Sequence, residues 1–204
     1  MIIILADAEL ELIPEEMKKD EDVRKYLRKM GKEDSILDNF LLRSSIGNHF
    51  PSEVNRIGFP QIAYQFYRLN EETLLGEGRK LDYAIHTKNN DIIEKVDLRD
   101  CGSSYWEFVE TVEELLTKRR KRMGILEYLE EKGILGNTVV LHPRGRQDLV
   151  VNDQLNYVIG GFPEGDFRSN LEGLRKFSIH DREVTVPGIL EMLHFKLLLS
   201  SSHS

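Results

Sequence analysis

Leu155-Asn156-Tyr157-Val158-Ile159-Gly160-Gly161-Phe162-Pro163-Glu164-Gly165-Asp166-Phe167 decides the fold class. Residues 155–159 are short, largely apolar and β-rich, which predicts a strand. The chain then leaves through paired glycines into a polar loop. The same order recurs on both sides. Residues 138–141 predict a strand followed by His142-Pro143-Arg144-Gly145-Arg146, and residues 176–179 predict a strand followed by His180-Asp181-Arg182-Glu183. An amphipathic helix over about 187–199 closes the chain. A parallel sheet brings all three loops to its carboxyl edge, where open α/β sheets bind ligands. The expected class is therefore α/β, a parallel sheet flanked by helices.

Upstream, residues 1–6 predict a buried strand. Pro14, Glu15 and Glu16 suit the first turn of a helix. Val23, Tyr26, Leu27 and Met30 carry a helical pattern ending at Gly31. Residues 44–61 hold Ser44, Ser45, Gly47, Asn48, Pro51, Ser52, Gly58 and Pro60 and predict a long loop. Ile62, Tyr64 and Phe66 alternate as a strand, as do Leu81, Tyr83 and Ile85; a turn at 89–91 leads to a third strand over 92–96. These strands suggest a small inserted β lobe at about 62–97 in one domain spanning 1–204. Phe108, Val109, Val112, Leu115 and Leu116 place a helix over 105–121, and a second follows over about 124–132.

The bulk numbers narrow the function. With 204 residues, 40% hydrophobic and 31% charged, the chain can build a core. A single cysteine, Cys101, excludes an intrachain disulfide and suits a reducing, cytoplasmic compartment. The apolar start ends at Asp7, too early for a spanning helix or a signal peptide. The net charge of −7 argues against a broad nucleic-acid footprint, although Lys118-Arg119-Arg120-Lys121-Arg122 is locally basic. That run reads equally as a phosphate grip or as a solvated face complementing a helix carboxyl end. The six histidines lack ligand spacing, so no metal is expected. Gly160-Gly161 also has two readings: bare backbone against a flat ligand, or a tight turn needing positive φ.

Several segments together carry a family resemblance. They are residues 8–16 (Ala-Glu-Leu-Glu-Leu-Ile-Pro-Glu-Glu), Ile36-Leu37-Asp38, Tyr83-Ala84-Ile85-His86-Thr87, the 159–165 loop, and Phe177-Ser178-Ile179 before the closing helix. The chain resembles the Nep-type (Emg-type) ribosome-biogenesis methyltransferases of the SPOUT superfamily, the archaeal branch especially. The resemblance implies a trefoil-knotted α/β fold, a homodimer, and S-adenosylmethionine as cofactor. It implies methyl transfer to N-1 of a pseudouridine in small-subunit rRNA, on a pre-ribosomal particle. It assigns the cofactor to Leu141, His142 and Pro143; Gly160, Gly161, Phe162 and Gly165; and Ser178, Ile179, Val184 and Val186.

The resemblance also shows where this chain departs. The family's Gly-Arg-Pro-Asp element reads Gly58-Phe59-Pro60-Gln61, and its arginine-rich Pro-Arg-Asn segment is replaced by 100–104, with Arg99 nearby. Gln61 can hydrogen-bond but cannot take a proton. Asp38 is the surviving acid, a candidate base or substrate orienter and equally a helix N-cap. Arg43, Arg56 and Arg99 are candidate phosphate contacts, with Lys118, Arg119, Arg120 and Arg122 as the basic run. The alternatives are an RNA-binding assembly factor with little or no catalysis, or a related enzyme for a different RNA.

Overall fold

The computed structural model describes residues 1–73, 81–118 and 122–201. Six strands form one sheet: β1 (Ile2–Ala8), β2 (Asp82–Thr87), β3 (Ile92–Glu94), β4 (Thr138–Arg146), β5 (Asn156–Gly160) and β6 (Arg175–Phe177), in the order β3-β2-β1-β5-β4-β6. Every pairing is parallel except the edge pair β2–β3. The carboxyl ends of β1, β4, β5 and β6 therefore share one edge, as the strand-then-loop pattern predicts.

Alternation within the strands splits the core into two faces. Ile3, Leu5, Tyr83, Ile85, Val139, Tyr157 and Ile159 face one side. There they meet helices α3 (Pro60–Glu72), α4 (Tyr105–Thr117) and α6 (Val186–Ser201) through Phe66, Phe108 and Leu190. Ile2, Ile4, Ala84, Val140 and Val158 face the other side, against Ile125, Tyr128 and Leu129 of α5 (Ile125–Glu131). A third, smaller cluster joins α1 (Glu21–Met30) to α2 (Asn39–His49) through Val23, Leu27, Leu42 and Ile46. Gly31 ends α1 at φ 67, as its position predicts.

Four expectations need correction. Residues 62–66 are helix, not strand. The buried positions of α3 are Ala63, Phe66, Tyr67 and Asn70, an i, i+3, i+4, i+7 set that outweighs the alternation of Ile62, Tyr64 and Phe66. The expected β lobe dissolves with it, because β2 pairs directly with β1 and β3 is the sheet's edge. The long loop is shorter than expected, since α2 occupies residues to His49. Pro14 opens a turn and a short 3-10 helix (Met17–Lys19), not an α-helix.

β4 also runs further than expected, through Arg146. Its register against β6 shifts between Leu141 and Arg146, and the Ser178 N–H donates to the Arg146 carbonyl at 2.7 Å. Gly145 makes this crossing feasible: a Cβ there would collide with the Phe177 backbone.

α3 and α6 are joined by a polar link inside the apolar core. Asn70, fully buried, donates to the Phe66 carbonyl, and its Oδ1 lies 3.2 Å from His194 Nε2. Burial pushes His194 down to about 4 from 6.5. The neutral ring is thus the folded form, so stability is fully present above about pH 6.5 and falls as pH drops toward 4. Urea titrations across that window should show a loss on the order of 3 kcal/mol. The slope should largely vanish in His194→Gln; an unchanged slope would reassign it to other groups.

Candidate active site

At the carboxyl edge of the sheet lies an open cleft of about 780 Å³, within the range of small-molecule sites. It is built from three loops and one helix end. The middle of β4, where its register against β6 shifts, contributes Leu141, His142 and Pro143. The loop after β5 contributes Gly160, Phe162, Pro163, Glu164, Gly165, Asp166 and Phe167. The segment before and into α6 contributes Glu183, Val184, Thr185, Val186, Pro187 and Ile189, and Phe59, Gln61, Ile62 and Gln65 close it from the start of α3, with Phe40 at its edge.

The structure thus brings together eight of the eleven expected cofactor residues. Ser178 and Ile179 line an adjoining small pocket of about 30 Å³ that shares Leu141, His142, Pro143 and Val184 with the cleft. Gly161 is walled off. Its N–H donates to the Ala6 carbonyl at 2.7 Å, and a Cβ would lie 2.7 Å from the Ala8 Cα. Neither glycine has positive φ, so the tight-turn reading fails. Gly160 lines the cleft, and a Cβ on it would stand 2.8 Å from the Phe162 ring. Close packing on β1 and Phe162 is what requires them. The left-handed position is Gly165, at φ 92.

The loop after β5 is pinned at two points. Asp7 adopts φ 54 at the end of β1, uncommon for a residue with a side chain. Its carboxylate accepts from the N–H groups of Arg168 (2.7 Å) and Ser169 (2.9 Å) and from Ser169 Oγ. Arg56 supplies the second point. It donates through Nε to buried Glu9 at 3.0 Å and through Nη2 to the Asp166 carbonyl at 2.8 Å, and it lies 4.5 Å from the Phe162 ring centre. Arg168 at 3.3 Å and Lys88 at 3.4 Å complete the positive shell around Glu9.

Asp166 orders the adjacent wall. It accepts from His142 Nε2 at 3.1 Å, Arg144 Nη2 at 2.7 Å and the Phe167 N–H at 2.8 Å. The Arg144 N–H donates to His142 Nδ1, so the proton of His142 sits on Nε2. Burial opposes the Asp166 charge, but the Phe167 N–H, His142 and Arg144 hold its carboxyl below the usual range. The rings of Phe162 and Phe167 meet edge to face, centroids 5.3 Å apart.

The expected chemistry residues part company. Asp38 does not line the cleft. It caps α2 by accepting the Phe40 N–H at 2.9 Å, and its other oxygen accepts from Tyr105 Oη at 2.6 Å and Gln61 Nε2 at 2.9 Å. The N-cap reading is the one the geometry fits. Burial, then the Asp38 charge, push the Tyr105 phenol far up, so it stays a donor. Gln61 does line the cleft.

The basic candidates scatter. Arg43 is exposed and held by the amide oxygens of Asn39 and Asn55, both at 2.9 Å. Arg56 is turned inward. Arg99 lines a separate cavity of about 330 Å³. Lys118 pairs with Glu114, and Arg122 with Asp91 at 2.9 Å; Arg119 and Arg120 lie outside the described residues. Asp166, Phe167 and Glu183 were missed as wall residues, as were Phe40 and Phe59. Asp166 and Phe167 stand in the very loop singled out, and extending that motif by two residues would have found them.

Comparison with known proteins now has a geometry to explain. The family model EMG1/NEP1 methyltransferase matches residues 3–193. The chain belongs to that family. It is 34% identical over 201 residues to the ribosomal RNA small subunit methyltransferase Nep1 of Thermoplasma acidophilum, covering 90% of each chain. The same-named protein of Thermoplasma volcanium is 32% identical over 201 residues, again with 90% of each covered. The crystal structure of Archaeoglobus fulgidus Nep1 bound to S-adenosylhomocysteine superposes with a TM-score of 0.84 over 99% of both chains at 22% identity, which establishes a shared fold.

Arg56 separates a structural from an RNA-contact role. Arg56→Ala should cost roughly 3 kcal/mol in denaturant unfolding, since it strips a buried carboxylate of a partner, and should speed amide hydrogen exchange in the loop after β5, which it anchors at Asp166. Unchanged stability with a selective loss of RNA affinity would return Arg56 to the surface role.

Proposed function

We propose that this protein transfers the methyl group of S-adenosylmethionine to N-1 of a pseudouridine in small-subunit rRNA, during assembly of a pre-ribosomal particle in the cytoplasm. The observation that carries the reading is the convergence of residues 141–143, 160, 162–167 and 183–187 on one cleft that Gln61 also lines. Membership of a methyltransferase family agrees with it. The cofactor, when bound, supplies an electrophilic methyl on a sulfonium.

The chain's own residues bind and orient. Phe162, Phe167, Leu141, Val184, Val186 and Ile189 give an apolar surface for a flat nucleoside. Positioning of this kind can supply several kcal/mol of the barrier. The N-1 proton must leave, and Asp38 is occupied by Phe40, Tyr105 and Gln61. Asp166 is likewise occupied by His142 and Arg144. Glu164 and Glu183, exposed on the cleft wall, are the carboxylates left to take it, directly or through water. Arg43 is the arginine best presented for a phosphate, because its guanidinium is met by neutral amides.

The reading carries a trefoil knot and a homodimer with it. Support for the knot is the tight crossing of Gly145 against Phe177, next to the segment that enters α6. Support for the dimer is Phe195, 62% exposed on α6. Phe195→Glu should shift light-scattering mass from dimer to monomer; a wild-type monomer would end that part.

The decisive assay incubates the protein with labelled S-adenosylmethionine and an rRNA hairpin bearing either pseudouridine or uridine. Label should enter only the pseudouridine hairpin, at N-1 by mass spectrometry. The specific observation favouring a second reading, an assembly factor without turnover, is Gln61, an amide that cannot accept a proton. Tight hairpin binding with no label incorporated would favour it.

A further inference from the structure

Gln61 donates twice through Nε2, to Asp38 Oδ2 at 2.9 Å and to Tyr105 Oη at 3.2 Å, while Tyr105 itself donates to Asp38 at 2.6 Å. The three side chains form a closed ring of hydrogen bonds. The amide orientation follows from it: turned over, the Gln61 carbonyl would face the Asp38 carboxylate, two acceptors in contact. Its Oε1 is therefore fixed, and it is buried with no hydrogen-bond partner. Among the described residues, it is the one such atom on the wall of the cleft. An orphaned buried acceptor calls for a donor.

Phe40 lines the same cleft, 75% exposed and edge-on to Phe59 with centroids 6.2 Å apart. An exposed ring and a fixed polar atom in one cleft suit an unstacked base, held by its face and read at its edge. We propose that Gln61 Oε1 is a specificity-determining acceptor that takes the N3–H of a uracil-type ring packed on Phe40. This rests on the methyl-transfer reading above.

The choice of N3 follows from the chemistry. Methylation uses the in-plane lone pair of N-1, so the N-1 edge faces the methyl group and cannot also rest on Gln61. The donor remaining on the ring is N3–H. A cytosine-type ring presents an acceptor there and is refused, because two acceptors would meet at a buried, unpartnered oxygen.

The test compares two rRNA hairpins, one with pseudouridine and one whose target ring carries C–H in place of N3–H. Affinity is read with S-adenosylhomocysteine present, and kcat/KM with the methyl donor. Wild type should lose roughly tenfold in affinity on the altered ring. Gln61→Met, which keeps volume but lacks the acceptor, should bind both rings alike. Tyr105→Phe, which keeps Oε1, should still discriminate. Melting temperature and S-adenosylhomocysteine affinity of each variant report whether the cleft is intact. Equal handling of both rings by wild type, with turnover intact, overturns the Gln61 assignment alone, as does continued discrimination by a folded Gln61→Met. Failure of wild type to methylate the pseudouridine hairpin instead overturns the underlying reading.

Discussion

A single buried carboxylate organises the site. Glu9, its side chain fully enclosed just past β1, is neutralised by Arg56, with Arg168 and Lys88 close by. A charge so placed must be paired or it destabilises the fold. Satisfying it pulls in residues far apart in sequence. Arg56 comes from the segment before α3, Arg168 from beyond β5, and Lys88 from the end of β2. Arg56 and Arg168 also hold the loop after β5 in place, so the charge balance of β1 and the shape of the cleft are one problem. Asp7, two residues earlier, adds a strained anchor to the same loop.

This arrangement explains which parts of the fold could be read from the residues. Strand followed by loop is local information, and β1, β2, β4 and β5 stand where short apolar runs predict them. The pairings among β1, β4, β5 and β6 are parallel, so the expected segments meet at one edge, although 142–146 continue as strand. α3 was hidden because Ile62, Tyr64 and Phe66 alternate, while its true buried face uses small Ala63 and polar Asn70, which carry little apolar signal. Asn70 is buried because His194 of α6 answers it, and that partner is 124 residues away.

The site divides along the same line. The cleft's loop positions lie near strand ends, and topology alone gathers them. Roles that depend on a distant counter-charge were not legible. Arg56 reads as a surface cation until Glu9, 47 residues earlier, is seen beside it. Gly161 reads as ligand-facing until Ala8 is found against it. Asp38 was ambiguous between cap and base, and two of the groups that occupy it, Gln61 and Tyr105, arrive from α3 and α4.

The sheet order has a bearing on synthesis. β1 is made long before β5, yet the two are neighbours in the sheet, so Ile3 waits for Tyr157. Apart from Phe40 and residues 59–65, every wall of the cleft comes from beyond residue 140. A nascent chain therefore has no complete pocket until residue 189 has been translated, and such distant pairings close slowly. During that interval the apolar β1, the innermost strand of the finished molecule, is an unpaired edge, and it needs shelter until the C-terminal third arrives.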